Sequence, residues 1–209
     1  MTEPTPAAGD LTDRPVSVWN IANALTLLRF VLVPVFLVML LHNDGRDDLW
    51  RVAAWVAFAV ASITDRVDGQ IARRRGLVTD FGKIADPIAD KALIGAALVG
   101  LSTLDELAWW ITVVVLVREV GVTLLRFWVI RHGVMPASRG GKLKTLVQAV
   151  AIGLLVLPLG GWLHEGALVV MYVAVVVTVV TGADYVQRAL QLRRTSERAA
   201  LKRARRAQS

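Results

Sequence analysis

The sequence predicts an all-α integral membrane protein with six transmembrane helices and a polar cleft facing the cytoplasm. Three observations carry this expectation. The 209 residues are 55% hydrophobic with a mean hydropathy of +0.54, too apolar for an ordinary soluble domain of this length. The apolar residues gather in six runs, each reaching roughly 20 residues with its flanks, enough to span a bilayer as a helix. The runs are continuous rather than alternating, which argues against a barrel.

The elements follow in order. Met1–Pro15 holds Pro, Thr, Asp and Gly without a basic segment leading into an apolar core. It reads as a disordered leader over 1–15, not a signal peptide. Span one, 19–41, opens on Asn20-Ile21-Ala22-Asn23-Ala24-Leu25-Thr26-Leu27-Leu28-Arg29 and continues into the run Val31–Leu41. Span two, 50–72, carries Val52–Ile63 and then Asp65 and Asp68. A short basic turn, Arg74–Phe81, makes spans two and three neighbours. Span three, 84–103, carries Asp86 and Asp90 ahead of Ala92–Leu101. Pro87 fits a first-turn position there, where its missing N–H costs little. Span four, 107–130, holds Leu107–Val117, then Arg118-Glu119 and Arg126. Span five, 143–159, is introduced by Gly140-Gly141-Lys142-Leu143-Lys144-Thr145, with Gln148 one turn on. Span six, 166–189, is built on Ala167–Val180. The helical domain thus covers 16–190, and 191–209 is a basic tail.

Charge sets the orientation. The net charge of +7 is concentrated. The loops His42–Leu49, Ser102–Glu106 and Gly160–Glu165 hold one basic residue between them, Arg46. The other side holds Arg73, Arg74, Arg75, Lys83, Arg131, Arg139, Lys142, Lys144 and the tail. The positive-inside rule puts that side, with both termini, in the cytoplasm. Trp50, Trp109, Trp110 and Trp162 mark the opposite ends of the spans, as an aromatic belt would. The tail is expected on anionic lipid headgroups rather than nucleic acid, since no nucleic-acid module accompanies it. The chain has no cysteine, which excludes disulfides and thiolate metal sites.

The chemistry centres on four aspartates at the cytoplasmic ends of spans two and three. Asp65 and Asp68 are three apart, and Asp86 and Asp90 four apart, so each pair shares a helix face. Four converging carboxylates repel one another and raise each other's pKa values. The sequence offers Asp65 and Asp86 no evident cationic partner except metal. Oxygen-only ligands suit Mg²⁺ or Mn²⁺, and two such ions can clamp a phosphate in transfer. Gly69 and Gly82 leave the backbone open to a bulky ligand. Arg73 follows Gly69 by one turn and can fork onto a phosphate. Thr79 can hydrogen-bond the same ligand.

The spacing Asp-x2-Asp-Gly-x2-Ala-Arg-x8-Gly-x3-Asp-x3-Asp resembles the signature of the CDP-alcohol phosphatidyltransferases. It is matched at Asp65, Asp68, Gly69, Ala72, Arg73, Gly82, Asp86 and Asp90. The resemblance covers about Asn20 to Gln187 and implies six spans. It implies transfer of a phosphatidyl group from a CDP-linked lipid to an alcohol, with release of CMP. It further implies two ions held by Asp65, Asp68, Asp86 and Asp90, with Asp90 also the general base. Asn23, Thr26, Arg29, Gly69, Arg73 and Thr79 would hold CDP-diacylglycerol, and a homodimer in a bacterial cell membrane is implied in the same way.

Three stretches bear on the acceptor: the opening of span one, the Arg118-Glu119 pair with Arg126, and the Gly-Lys-x-Lys-Thr-x-x-Gln run. They resemble the bacterial phosphatidylglycerophosphate synthases within the family, whose acceptor is glycerol 3-phosphate. Such a dianion needs a cationic pocket, and Arg118, Arg126, Lys142 and Lys144 can supply one. Each also has a plainer reading. Lys142 and Lys144 fit orientation anchors, Arg118–Glu119 an ion pair, and Arg126 a snorkelling side chain. Asn23 and Thr26 fit a first helix turn satisfying its own donors. Two relatives within the family, phosphatidylinositol phosphate synthase and a cardiolipin synthase, stay open as alternatives. Outside it, a divalent-cation transporter predicts carboxylates at the midplane on broken spans.

Overall fold

In the computed structural model, the described residues are 21–75, 79–129 and 139–207. Among them there are six α-helices and no strand. These are α1 (Ile21–Leu41), α2 (Asp48–Arg75), α3 (Asp80–Thr103), α4 (Trp109–Val129), α5 (Arg139–Val156) and α6 (Trp162–Ala207). Each predicted span corresponds to one helix. The 1–15 leader lies outside the described residues.

Local chemistry explains the helix starts. Between α1 and α2 a single 3₁₀ turn, His42–Gly45, places Asn43, Asp44 and Gly45 at positive φ. Asn and Asp tolerate that region better than other side-chain-bearing residues. Gly45 is needed twice over, because a Cβ there would come within 2.7 Å of Leu104 Cδ1. Asp47 then caps α2, its Oδ1 accepting from the backbone N–H groups of Leu49 at 3.0 Å and Trp50 at 3.3 Å. Thr79 caps α3 by accepting from the Gly82 N–H at 3.0 Å.

Two expectations change here. The α2–α3 connection is shorter than the predicted turn, because α2 runs on through Arg75 and α3 begins at Asp80. The Thr79 cap fixes that early start, so Pro87 falls inside α3 rather than in its first turn. There its ring removes one backbone hydrogen bond to the carbonyl four residues back. The end of span six differs as well. Helix α6 does not stop near 189 but continues through the basic segment to Ala207. No Gly or Pro follows Gly182 in that stretch, which is rich in Ala, Leu, Arg and Gln, all good helix formers. Arg188 and Asp184, one turn apart, add an exposed ion pair at 2.9 Å.

The helices alternate in direction. Helix α1 packs on α2 and α3, α5 on α6, α2 and α3, and α4 on α6 and α3. Phe36, Phe58, Leu98, Ile111, Ile152 and Met171 are buried where these faces meet. At one end of the bundle Arg51, 6% exposed, caps the last carbonyls of α5. Its guanidinium donates to Val156 O at 3.1 Å and to Leu155 O at 2.6 Å, and it ion-pairs with Glu106. Glu106 also faces His164 Nδ1 at 3.4 Å. This charged cluster ties together the start of α2, the α3–α4 connection, the end of α5 and the start of α6. A buried arginine in an apolar helix is tolerable when every strong donor finds an acceptor, and the orphan carbonyls of a helix end are such acceptors. Trp50, Trp109, Trp110 and Trp162 are exposed at this same end.

The flanks of the bundle are apolar and uncovered: Val38, Ile63, Val117, Leu124, Val176 and Val180 are all more than 60% exposed. Two helical stretches, Asn23–Gly45 and Trp162–Gln191, are long and apolar enough to cross a membrane.

Candidate active site

At the other end of the bundle the polar residues of α1, α2 and α3 meet. Asn23, Thr26 and Arg29 recur at three-residue spacing on α1, and all three are buried. Each reaches a residue of the aspartate run or its cap. Asn23 Oδ1 accepts from Thr79 Oγ1 at 2.9 Å. Thr26 Oγ1 donates to Asp86 Oδ1. The Arg29 guanidinium pairs with Asp65 Oδ1 and lies 3.4 Å from Asp86 Oδ1.

Gly82 is part of this lock. A Cβ at that position would meet Asn23 Oδ1 at 3.0 Å and Thr79 Oγ1 at 3.2 Å. Its missing side chain admits Asn23 and Thr79.

The carboxylates therefore do have a cationic partner besides metal, and it comes from α1. The expectation that only metal could balance Asp65 and Asp86 fails because the partner lies 36 and 57 residues away in sequence. The arrangement nonetheless fits a cation site. Two oxygen donors on different helices converge on one positive group, and their side chains stay 33% and 39% exposed. Hard oxygen donors with access to solvent suit Mg²⁺ or Mn²⁺. Among the described residues no third Asp, Glu, His or Cys joins them in a metal-sized cluster. Asp68, Gly69 and Arg73 lie in the last turns of α2. Their side chains are outside the described residues.

Asp90 is one turn beyond Asp86 on α3 and faces a neighbouring recess. Asp90, Lys91 and Ile94 of α3, Glu119 of α4, and Lys144, Thr145 and Gln148 of α5 line it, and it opens to solvent. Lys144 is 5% exposed and ion-pairs with Glu119. Arg118 NH1 lies 3.5 Å from Glu119 as well. Arg118 also donates to Thr178 O at 3.2 Å and to Thr181 Oγ1 at 3.1 Å on α6. Of the four cations expected around an acceptor phosphate, the structure thus places Lys144 in the recess and Arg118 beside its Glu119 wall. Arg126 and Lys142 lie in α4 and α5. Their side chains are outside the described residues.

The sequence gives Glu119 an ion pair with Arg118 and Gln148 a place in the Gly-Lys-x-Lys-Thr-x-x-Gln run, but puts neither in the wall of a recess with Asp90. Glu119 is a carboxylate inside an otherwise apolar segment, and that signal alone could have marked it.

A sequence model of the CDP-alcohol phosphatidyltransferase family matches residues 19–180. The chain belongs to the CDP-alcohol phosphatidyltransferase family. As a member, it carries the family's aspartate spacing where the structure gathers Asp65, Asp86 and Arg29. Among relatives of this phosphatidyltransferase, a protein of Mycobacterium tuberculosis named "Probable phosphatidylglycerophosphate synthase" is 59% identical over 89% of this chain and 88% of its own length. A Bacillus subtilis protein named "CDP-diacylglycerol--glycerol-3-phosphate 3-phosphatidyltransferase" is 36% identical over 85% of this chain and 99% of its own. An Escherichia coli protein of the same name is 34% identical over 82% and 95%.

Proposed function

We propose that this CDP-alcohol phosphatidyltransferase moves the phosphatidyl group of CDP-diacylglycerol to glycerol 3-phosphate, giving phosphatidylglycerophosphate and CMP. One observation carries the choice of acceptor: Asp90 and Lys144 line the same recess. A carboxylate that can take a proton and a cation that can hold a phosphate suit an acceptor bearing both a hydroxyl and a phosphate. The names of the relatives support the same acceptor.

The chemistry is a direct displacement. Asp90 accepts the proton of the attacking hydroxyl, which is otherwise a weak nucleophile. The freed oxygen attacks the phosphorus that carries diacylglycerol. The bond from that phosphorus to the CMP oxygen breaks, and CMP leaves with the electron pair. Asp65, Asp68, Asp86 and Asp90 would hold two divalent ions, Mg²⁺ or Mn²⁺. Bound there, these supply charge neutralisation at the pyrophosphate and at the departing CMP. Arg29, Thr26 and Asn23 hold the carboxylate-bearing ends of α2 and α3 in register, and with Gly69, Arg73 and Thr79 they border the CDP portion. Arg118, Arg126, Lys142 and Lys144 provide the positive field for the acceptor phosphate.

The six helices would all span the membrane, with this end of the bundle and both termini in the cytoplasm. Within 191–209, the basic continuation of α6 would lie against anionic headgroups. A homodimer fits the same reading.

The deciding experiment is an assay of the purified enzyme with CDP-diacylglycerol and a panel of acceptors: glycerol 3-phosphate, inositol phosphate, phosphatidylglycerol and glycerol. Glycerol 3-phosphate should be consumed and free glycerol used poorly, because glycerol brings no phosphate for the cations of the recess to hold. Turnover of another acceptor without glycerol 3-phosphate would keep the family and reject this substrate.

A further inference from the structure

We propose that Gln148 is a specificity-determining residue that accepts a hydrogen bond from the non-reacting hydroxyl of the acceptor. The proposal rests on the glycerol 3-phosphate reading and adds the group that recognises its polyol part. Gln148 stands one turn after Lys144 on α5, so the two side chains share a face. Both are more than nine-tenths buried, and both line the recess that Asp90 and Glu119 complete. The Oε1 of Gln148 is shut off from solvent and has no hydrogen-bond partner among the described residues. Buried side-chain oxygens almost always have one. This orphan oxygen belongs to a residue that lines a recess already offering a proton acceptor and a cation for a phosphate.

The chemistry of the orphan atom selects its ligand. A carboxamide oxygen accepts and does not donate, so it repels a phosphate dianion and needs an O–H or N–H. Glycerol 3-phosphate carries two hydroxyls on adjacent carbons. The primary one attacks and gives its proton to Asp90. The secondary one keeps its proton through the reaction and needs an acceptor of its own. Asp90 on α3 and Gln148 on α5 line one recess from packed helices, so a single small diol phosphate can serve both.

The test compares two acceptors in the full-length enzyme with CDP-diacylglycerol: glycerol 3-phosphate and 3-hydroxypropyl phosphate, which lacks only the secondary hydroxyl. Wild type should favour glycerol 3-phosphate in kcat/KM by about 10–100-fold. Gln148→Leu should cut that ratio to below about 3-fold, through loss on glycerol 3-phosphate alone, with the KM for CDP-diacylglycerol unchanged. Gln148→Glu keeps an oxygen acceptor at the same point and should retain a preference. If Gln148→Leu does not fold, Gln148→Met makes the same comparison. A merely structural role would lower both acceptors equally, so an unchanged ratio overturns the proposal, as does a wild-type ratio near one. Wild-type enzyme that turns over other acceptors but not glycerol 3-phosphate removes the proposed function together with this inference, and that outcome is distinct from a failed ratio.

Discussion

Arg29 of α1 and Asp65 of α2 form an ion pair in which the guanidinium is wholly buried while a third of the aspartate side chain stays exposed. The same guanidinium lies 3.4 Å from Asp86 of α3. Three helices are thereby joined through one charge at the end where the aspartate run lies.

Arg29→Met should destabilise the fold and make it dependent on divalent cations. Breaking a fully buried pair costs about 3–5 kcal/mol. The partial exposure of both aspartates should bring the figure down to roughly 2–3 kcal/mol, because water screens what remains. Thermal melts with and without Mg²⁺ check it. The variant should melt well below wild type in chelator and recover part of the loss with the ion. Equal melting temperatures in chelator would show that the pair does not hold these helices.

Asp65→Asn and Asp86→Asn should each abolish turnover, and EDTA should abolish wild-type turnover reversibly. The motive is the convergence of two partly exposed carboxylates from different helices on one positive group. CMP release measured before chelation, after it, and after Mg²⁺ or Mn²⁺ is restored decides the matter. Full activity in chelator would remove the two-ion reading.

Asp90→Asn should lower turnover by about 10²–10⁴-fold, the usual loss when a general base is removed. It should leave CDP-diacylglycerol binding largely intact, since Asp65, Asp68 and Asp86 would still hold metal. Parallel measurement of CMP release and CDP-lipid binding separates the two effects. Near-normal turnover would exclude Asp90 as the base.

Lys142→Met and Lys144→Met should raise the KM for glycerol 3-phosphate far more than the KM for CDP-diacylglycerol. Lys144 is the sharper case, because it is buried beside Glu119 in the recess with Asp90. Steady-state kinetics with each substrate varied in turn provide the check. Equal rises in both KM values would make these lysines orientation anchors rather than acceptor ligands.

Gly82→Ala should cost about 1–3 kcal/mol, the usual penalty for overpacking. The new methyl would crowd Asn23 Oδ1 at 3.0 Å and Thr79 Oγ1 at 3.2 Å, two atoms held by their own hydrogen bond. Activity should fall with stability, because the displaced Thr79 cap sets the start of the helix that carries Asp86 two turns on. A melting temperature and turnover both equal to wild type would show that the lock yields freely.

The sequence by itself determined the number and order of the helices, because burying or exposing a 20-residue apolar run is a local property of composition. It also determined the aspartate spacing, which a 3.6-residue helix turns directly into shared faces. Helix ends were less legible. The Thr79 cap pulls α3 forward so that Pro87 becomes interior, and α6 runs on past span six through the basic segment. Only the tertiary structure decided which partners the charged residues take. Arg29 pairs with Asp65 and Asp86, Lys144 with Glu119, and Arg51 caps α5. Arg51 and its α5 carbonyls are more than 100 residues apart. Periodicity along one helix shows which side a residue faces, but not which helix lies opposite. That choice is made by packing six faces at once, and so the identity of Arg29's partners and the orphan oxygen of Gln148 appear only in three dimensions.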